Sequence, residues 1–247
     1  MMTNHQPAID HMLALLDGWE KAGDQRRIFL GCYSQMTGNM LKAIQAGEFH
    51  DNAWVMELLE HFADYYFKAL QAYEQQPARA PSVWQIAFEA ARDSHVHVLQ
   101  HLMLGINAHI NFDLVFALED VLHAEWVGLS PRQRMERYED HCRVNEVIAR
   151  TLDAVQDSIV ERFAPKMDLI DDGMGRVDEW LASKVISIYR DRVWQMAVER
   201  LQAQNESERE IIRAVVEKSS LERALSIRDW SLGRGLLRFI DDYLEEQ

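Results

Sequence analysis

Apolar residues recur at spacings of three and four along nearly the whole chain, a period that predicts helices and not strands. Residues 8–22 carry Ile9, Met12, Leu13, Leu15, Leu16 and Trp19, and Gly23 ends the run. A second helix fits 25–46, with Phe29, Leu30, Tyr33, Met36, Met40, Leu41 and Ile44 inside, Thr37-Gly38 as a point of bending and Gly47 as its stop. Asp51 is a good N-cap for a third helix reaching Gln75, on which Trp54, Val55, Leu58, Phe62, Tyr65, Tyr66 and Leu70 cover a broad face. Residues 77–81 form a proline-bounded loop, after which Ser82 caps a long central segment that Gly128 closes. Ser130-Pro131 starts a helix that runs to Phe163, before Pro165. Residues 166–175 read as a connection, 176–204 as a helix striped by Trp180, Val185, Tyr189, Val193, Ala197 and Leu201, and 206–218 as another. The tail 219–246 fits two short helices around Gly233 and Gly235. No alternating strand pattern and no repeat interrupts this. The expected fold is all-α: one domain over 1–247, a multi-helix bundle whose C-terminal part, 176–247, packs on the same core.

The central segment breaks the pattern in one respect. Residues 95–123 are apolar enough for a buried helix, yet they hold His95, His97, His101, Asn107, His109, Asn111 and Asp113. A polar group buried without a partner costs a few kcal/mol, so these must bond to each other, to neighbouring helices or to a ligand. His97 and His101, Asn107 and Asn111, and His109 and Asp113 are each four apart and therefore share faces. A straight helix presents them as two polar stripes, one to each flanking layer. A break at Gly105, where glycine costs about 1 kcal/mol relative to alanine, would instead turn His109 toward His101. A glycine there also suits close approach by a neighbouring group.

Composition narrows the function. Hydrophobic residues at 48% and charged ones at 27% are ordinary for a globular protein, and 11 glycines and 5 prolines are few. A net charge of −14 argues against a nucleic-acid surface and against anionic membranes. The run 96–118 is nearly uncharged, but its three histidines, two asparagines and one aspartate make a membrane span expensive. The N-terminus Met-Met-Thr-Asn-His-Gln-Pro has neither basic nor apolar signal regions. With only Cys32 and Cys142, a reduced cytoplasmic protein acting on a small molecule is the expectation.

The common catalytic signatures are missing: no H-E-x-x-H, no Walker loop, no G-x-S-x-G, no paired C-x-x-C, and no Glu-x-x-His pair of di-iron bundles. What remains is the central cluster and its potential partners. His109 and Asp113 at i,i+4 suit a metal ligand or an oriented general base, because the carboxylate can fix the imidazole. His61 and Asp64 on the third helix and His141 with Asn145 on the fifth could complete a site with His101. Arg190 and Arg192 could supply an anion-binding guanidinium. The bland alternative is that Asp113 bonds His109 and the asparagines satisfy backbone groups.

Leu-Gly-Ile-Asn-Ala-His-Ile-Asn-Phe-Asp-Leu at 104–114, preceded by Leu-Gln-His, resembles a bacterial all-helical family of unknown function with an N-A-H-I-N-x-D-L core. The resemblance extends over most of the chain and makes His101, Asn107, His109, Asn111 and Asp113 the shared residues. It implies no settled activity. A fainter likeness is to the zinc-dependent phospholipase C and P1 nuclease group, with the departure that Asn107 stands where an acid is expected.

Two functions follow as expectations. The first is a metal-assisted hydrolase using zinc or iron, with His61, Asp64, His101, His109, Asp113 and His141 as metal ligands and Asn107, His109, Asn111 and Asp113 acting on substrate. The second is a metal-free helical protein whose polar pocket binds a small molecule or only locks the core.

Overall fold

The computed structural model describes residues 7–93, 95–163 and 175–229. Among them every regular element is helical and no strand occurs, so the all-α bundle expected from the periodicity is what forms. The helices are α1 (Pro7–Ala22), α2 (Arg26–Gln45), α3 (Asn52–Gln75), α4 (Ser82–Ala90), α5 (Val98–Ile106), α6 (Leu114–His123), α7 (Pro131–Phe163), α8 (Gly175–Gln202) and α9 (Glu206–Arg228). Both cysteines are free thiols.

Helix α5, a π-helical stretch at Asn107–Asp113 and α6 run on as one 26-residue rod, Val98–His123. The rod is long and apolar enough to cross a membrane by length and composition, but 78% of its apolar window is buried inside the fold, which makes it the core helix. Helices α2, α3 and α4 flank one part of the rod and α8 and α9 another, α4 and α9 meet each other, and α7 packs across α2 and α8.

Of the alternatives the sequence leaves open at Gly105, the helix does not break, and the glycine serves a close approach. A Cβ there would sit 2.3 Å from Cδ2 of Phe29. The missing side chain lets the α2 ring lie directly on the rod, where it meets Tyr33, Tyr66 and Trp84. Helix α2 continues through Thr37-Gly38 from Arg26 to Gln45.

Other boundaries move for local reasons. The central segment starts at Val98 and not at Ser82, because the chain turns after α4. Asp93 Oδ1 accepts from the His95 amide at 2.9 Å, and His97 becomes the N-cap of α5, its Nδ1 accepting from Leu99 N at 3.2 Å. His97 therefore shares no helical face with His101. Helix α9 does not stop at Lys218, since the hydroxyls of Ser219 and Ser220 donate back to the Val216 carbonyl and leave the main chain free to continue. The connection expected at 166–175 lies almost entirely outside the described residues, as do the positions around Gly233 and Gly235.

Asp51 caps α3 as expected, accepting from Ala53 N and Trp54 N. The loop before it is held by Asp140 of α7, a fully buried carboxylate that accepts from His50 N at 2.7 Å and Asp51 N at 2.9 Å. Asp140→Ala leaves two part-buried amides without acceptors and is expected to cost about 1–3 kcal/mol in chemical denaturation. An unchanged denaturation midpoint would show that water replaces the carboxylate there.

Candidate functional site

Residues two apart on a helix point to nearly opposite sides, so the alternation Asn107, His109, Asn111, Asp113 divides the rod into two polar faces. This is the straight-helix arrangement. The π-helical stretch coincides with those four residues. Such widened turns inside α-helices are frequent at functional sites.

The face toward α2, α3 and α4 is closed. His109 Nδ1 and Asp113 Oδ2 are 3.0 Å apart, and the Trp84 indole Nε1–H donates to both Asp113 oxygens at 3.1 and 3.0 Å. Asp113 is 1% exposed and His109 3%. The imidazole lies flat on Phe62, with 3.5 Å between ring centroids and 7° between planes, and meets the Tyr33 ring at 4.3 Å. Burial pushes Asp113 well above its ordinary value, the Trp84 hydrogen bond only partly opposing it, and burial pushes His109 well below its own. Both directions favour uncharged partners. On those directions we assign the proton to the carboxyl, which then donates to Nδ1 and leaves the pair net neutral. His109 Nε2 has no hydrogen-bond partner, and the aromatic rings packed around it leave no opening for a substrate.

The face toward α8 and α9 is built differently. Asn107 Nδ2 donates to the Ser220 carbonyl at 2.8 Å, and Asn111 Nδ2 donates to Asn107 Oδ1 at 3.0 Å. Beyond Asn111 opens a small cleft lined by Tyr189, Arg192, Val193, Met196, Val215, Ser219 and Arg223, among others. Its volume of about 20 Å³ takes one or two water-sized groups.

The remaining expected ligands lie elsewhere. His101 is buried on the first side, beside a second cavity of about 20 Å³ lined by Arg26, Phe29, Tyr66, Trp84 and Gly105. Its Nδ1 has no hydrogen-bond partner, and burial lowers its pKa below the usual histidine range. His61 is half-exposed, 3.8 Å from Asp120 Oδ2, which also accepts from the Tyr65 hydroxyl at 2.8 Å. Asp64, one turn on, faces solvent. His141 is buried between α7 and α8, its Nε2 2.9 Å from the Arg190 carbonyl and its ring 5.2 Å from that of Trp194.

The six expected metal ligands are therefore not brought together. His109 and Asp113 meet each other, while His61, Asp64, His101 and His141 do not join them. Among the described residues no group of three or more His, Cys, Asp or Glu is arranged to hold a metal ion. The reason is rotational: His61 and Asp64 sit on the outer side of α3, whose inner side gives Phe62 and Tyr66 to the aromatic box. Arg190 also serves the fold. It is buried, donates to Asn145 Oδ1 at 2.7 Å and to the His141 carbonyl at 3.0 Å, and desolvation lowers its pKa to about 10.

Sequence reasoning missed Trp84, Phe29, Phe62, Ser220 and Arg223. For Trp84 a signal existed, because a buried carboxyl calls for donors and an indole on a neighbouring apolar helix is one. For the others only the assembled fold supplies the reason.

The bundle and its two-faced rod define a class, an all-α protein organised around a buried polar π-helical segment. The chain belongs to DUF5995, a family of unknown function whose profile matches residues 6–229. This agrees with the helical family that the Asn-Ala-His-Ile-Asn motif resembles. No curated protein and no solved structure matches the chain, and the likeness to zinc phospholipase C and P1 nuclease gains no support.

Proposed function

We propose that the protein is a helical small-molecule-binding protein that works without a metal, its ligand seated in the cleft between α8 and α9 against Asn111. The His109 face of the same rod is then a structural lock. The observation that carries this reading is Asn111 itself. Its side chain is 7% exposed and its Nδ2 is used by Asn107, while its Oδ1 has no hydrogen-bond partner among the described residues at the edge of an open cleft. An amide oxygen left open at the edge of a cleft is an acceptor that a ligand donor can take up in place of water. The metal-assisted hydrolase is less well supported, because its six donors are dispersed and the one oriented histidine is walled in by aromatic rings.

Ligand-observed NMR with a set of small polar fragments tests the reading. Val215, 46% exposed at the mouth of the cleft, can be replaced by tryptophan without disturbing the core. Fragments are expected to bind wild type and to lose at least tenfold in affinity against Val215→Trp. Equal binding to both chains, or none to either, overturns the proposal in favour of a purely structural network. Elemental analysis of protein purified without a histidine tag is expected to find no stoichiometric zinc or iron. A full equivalent of either would restore the hydrolase reading.

A further inference from the structure

The hydrogen-bond polarity of the cleft is set from its far end. A main-chain carbonyl can only accept, so Asn107 must turn its NH₂ toward Ser220, which leaves Asn107 Oδ1 as an acceptor. Asn111 must then present its own NH₂ to that oxygen. Reversing either amide would set oxygen against oxygen or NH₂ against NH₂. The atom left over at the cleft is therefore Oδ1, a fixed acceptor that requires a donor from whatever binds.

The charge of the cleft is set by Arg223 and Arg192, which line it together with Ser219. The Arg223 guanidinium lies 5.3 Å above the Tyr189 ring, also part of the wall, and no carboxylate pairs with it among the described residues. A cation is excluded there, and a planar carboxylate matches the guanidinium fork. A plain carboxylate would satisfy the arginine but leave Asn111 Oδ1 unpaired and facing negative charge. The remaining lining, Val115, Val193, Met196, Val215 and Val216, is apolar, and the enclosed volume of about 20 Å³ admits only one or two polar atoms of a compact ligand, whose remainder sits at the open mouth.

We infer that the cleft binds a small carboxylate bearing a hydroxyl or ammonium donor on the neighbouring carbon, the carboxylate on Arg223 and the donor on Asn111 Oδ1. This rests on the reading of the cleft as a small-molecule site and gives that site its ligand class. Hydroxy acids and amino acids share the chemistry, and they differ in the donor.

The test is titration of ¹⁵N-labelled full-length protein with glycolate, glycine, acetate and ethylene glycol, following the Asn111 side-chain amide signal. Glycolate or glycine is expected to move that signal saturably. Acetate, which lacks the donor, and ethylene glycol, which lacks the charge, should each bind at least tenfold more weakly. The tighter of the first two identifies hydroxy or amino acids as the natural class. Arg223→Gln, a change at a half-exposed position that leaves the core intact, should weaken binding tenfold or more. Acetate binding as tightly as glycolate and glycine overturns the ligand class while leaving the cleft a binding site. So does silence from all four probes when other fragments still bind wild type and not Val215→Trp. If no fragment of any kind binds, the site itself is refuted together with its ligand class.

Discussion

Asp113→Asn should fold with a small loss of stability near pH 4 and gain on wild type as pH rises, whereas Asp113→Ala should lose about 2–6 kcal/mol near pH 4. Alanine strands both the Trp84 N–H and His109 Nδ1, at about 1–3 kcal/mol each. Asparagine instead imitates the protonated carboxyl. Its Oδ1 accepts from Trp84, and its Nδ2–H can donate to His109 Nδ1 as the carboxyl proton does. The pH dependence makes this decisive. In the unfolded chain Asp113 ionises at its ordinary value of 3.8, while burial holds the folded carboxyl protonated well above that. Above 3.8 the wild-type folded state therefore binds one more proton than the unfolded state at this position, and stability is lost as pH rises. Asparagine carries no such proton. The stability of wild type minus that of Asp113→Asn should accordingly fall by about 1.4 kcal/mol per pH unit until the folded carboxyl itself ionises. Urea denaturation of both chains at several pH values between 5 and 8 measures this difference. A difference that is flat or rises with pH would mean that Asp113 is ionised in the fold, and the neutral pair would have to be abandoned.

Gly105→Ala is the second large effect expected. Alanine in mid-helix normally gains about 1 kcal/mol over glycine. Here the new Cβ would stand 2.3 Å from Phe29 Cδ2 and 2.4 Å from its Cγ, well inside van der Waals contact. The ring cannot retreat freely, because it is wedged against Tyr33, Tyr66, Trp84 and His109. Overpacking of this kind costs about 1–3 kcal/mol net and sometimes more. Phe29→Leu in the same chain should relieve part of it, so that the double variant is less destabilised than the sum of the singles. Gly38→Ala is the control: its Cβ meets only Ile9 Cδ1 at 3.4 Å, and it should stabilise α2 slightly. Additive losses in the double variant would show that Phe29 does not carry the Gly105 effect.

The all-α class and most helix boundaries were legible in the sequence because apolar spacing, caps such as Asp51 and stops such as Gly47 act within a few residues of chain. The pairing of Asn107 with Asn111 and of His109 with Asp113 was legible for the same reason, four residues being about one helical turn. So was the demand of Gly105 for a close neighbour, although not the neighbour's identity. Tertiary structure alone decided how α3 is rotated, and with it that Phe62 rather than His61 meets His109. It also decided that His141 serves Arg190 and that Ser220 and Arg223 stand on the far side of the rod from Trp84. Those outcomes depend on how helices distant in sequence dock. A rotation of one helix by a single residue, about 100°, exchanges a ligand for a packing ring without altering the local pattern that specifies the helix.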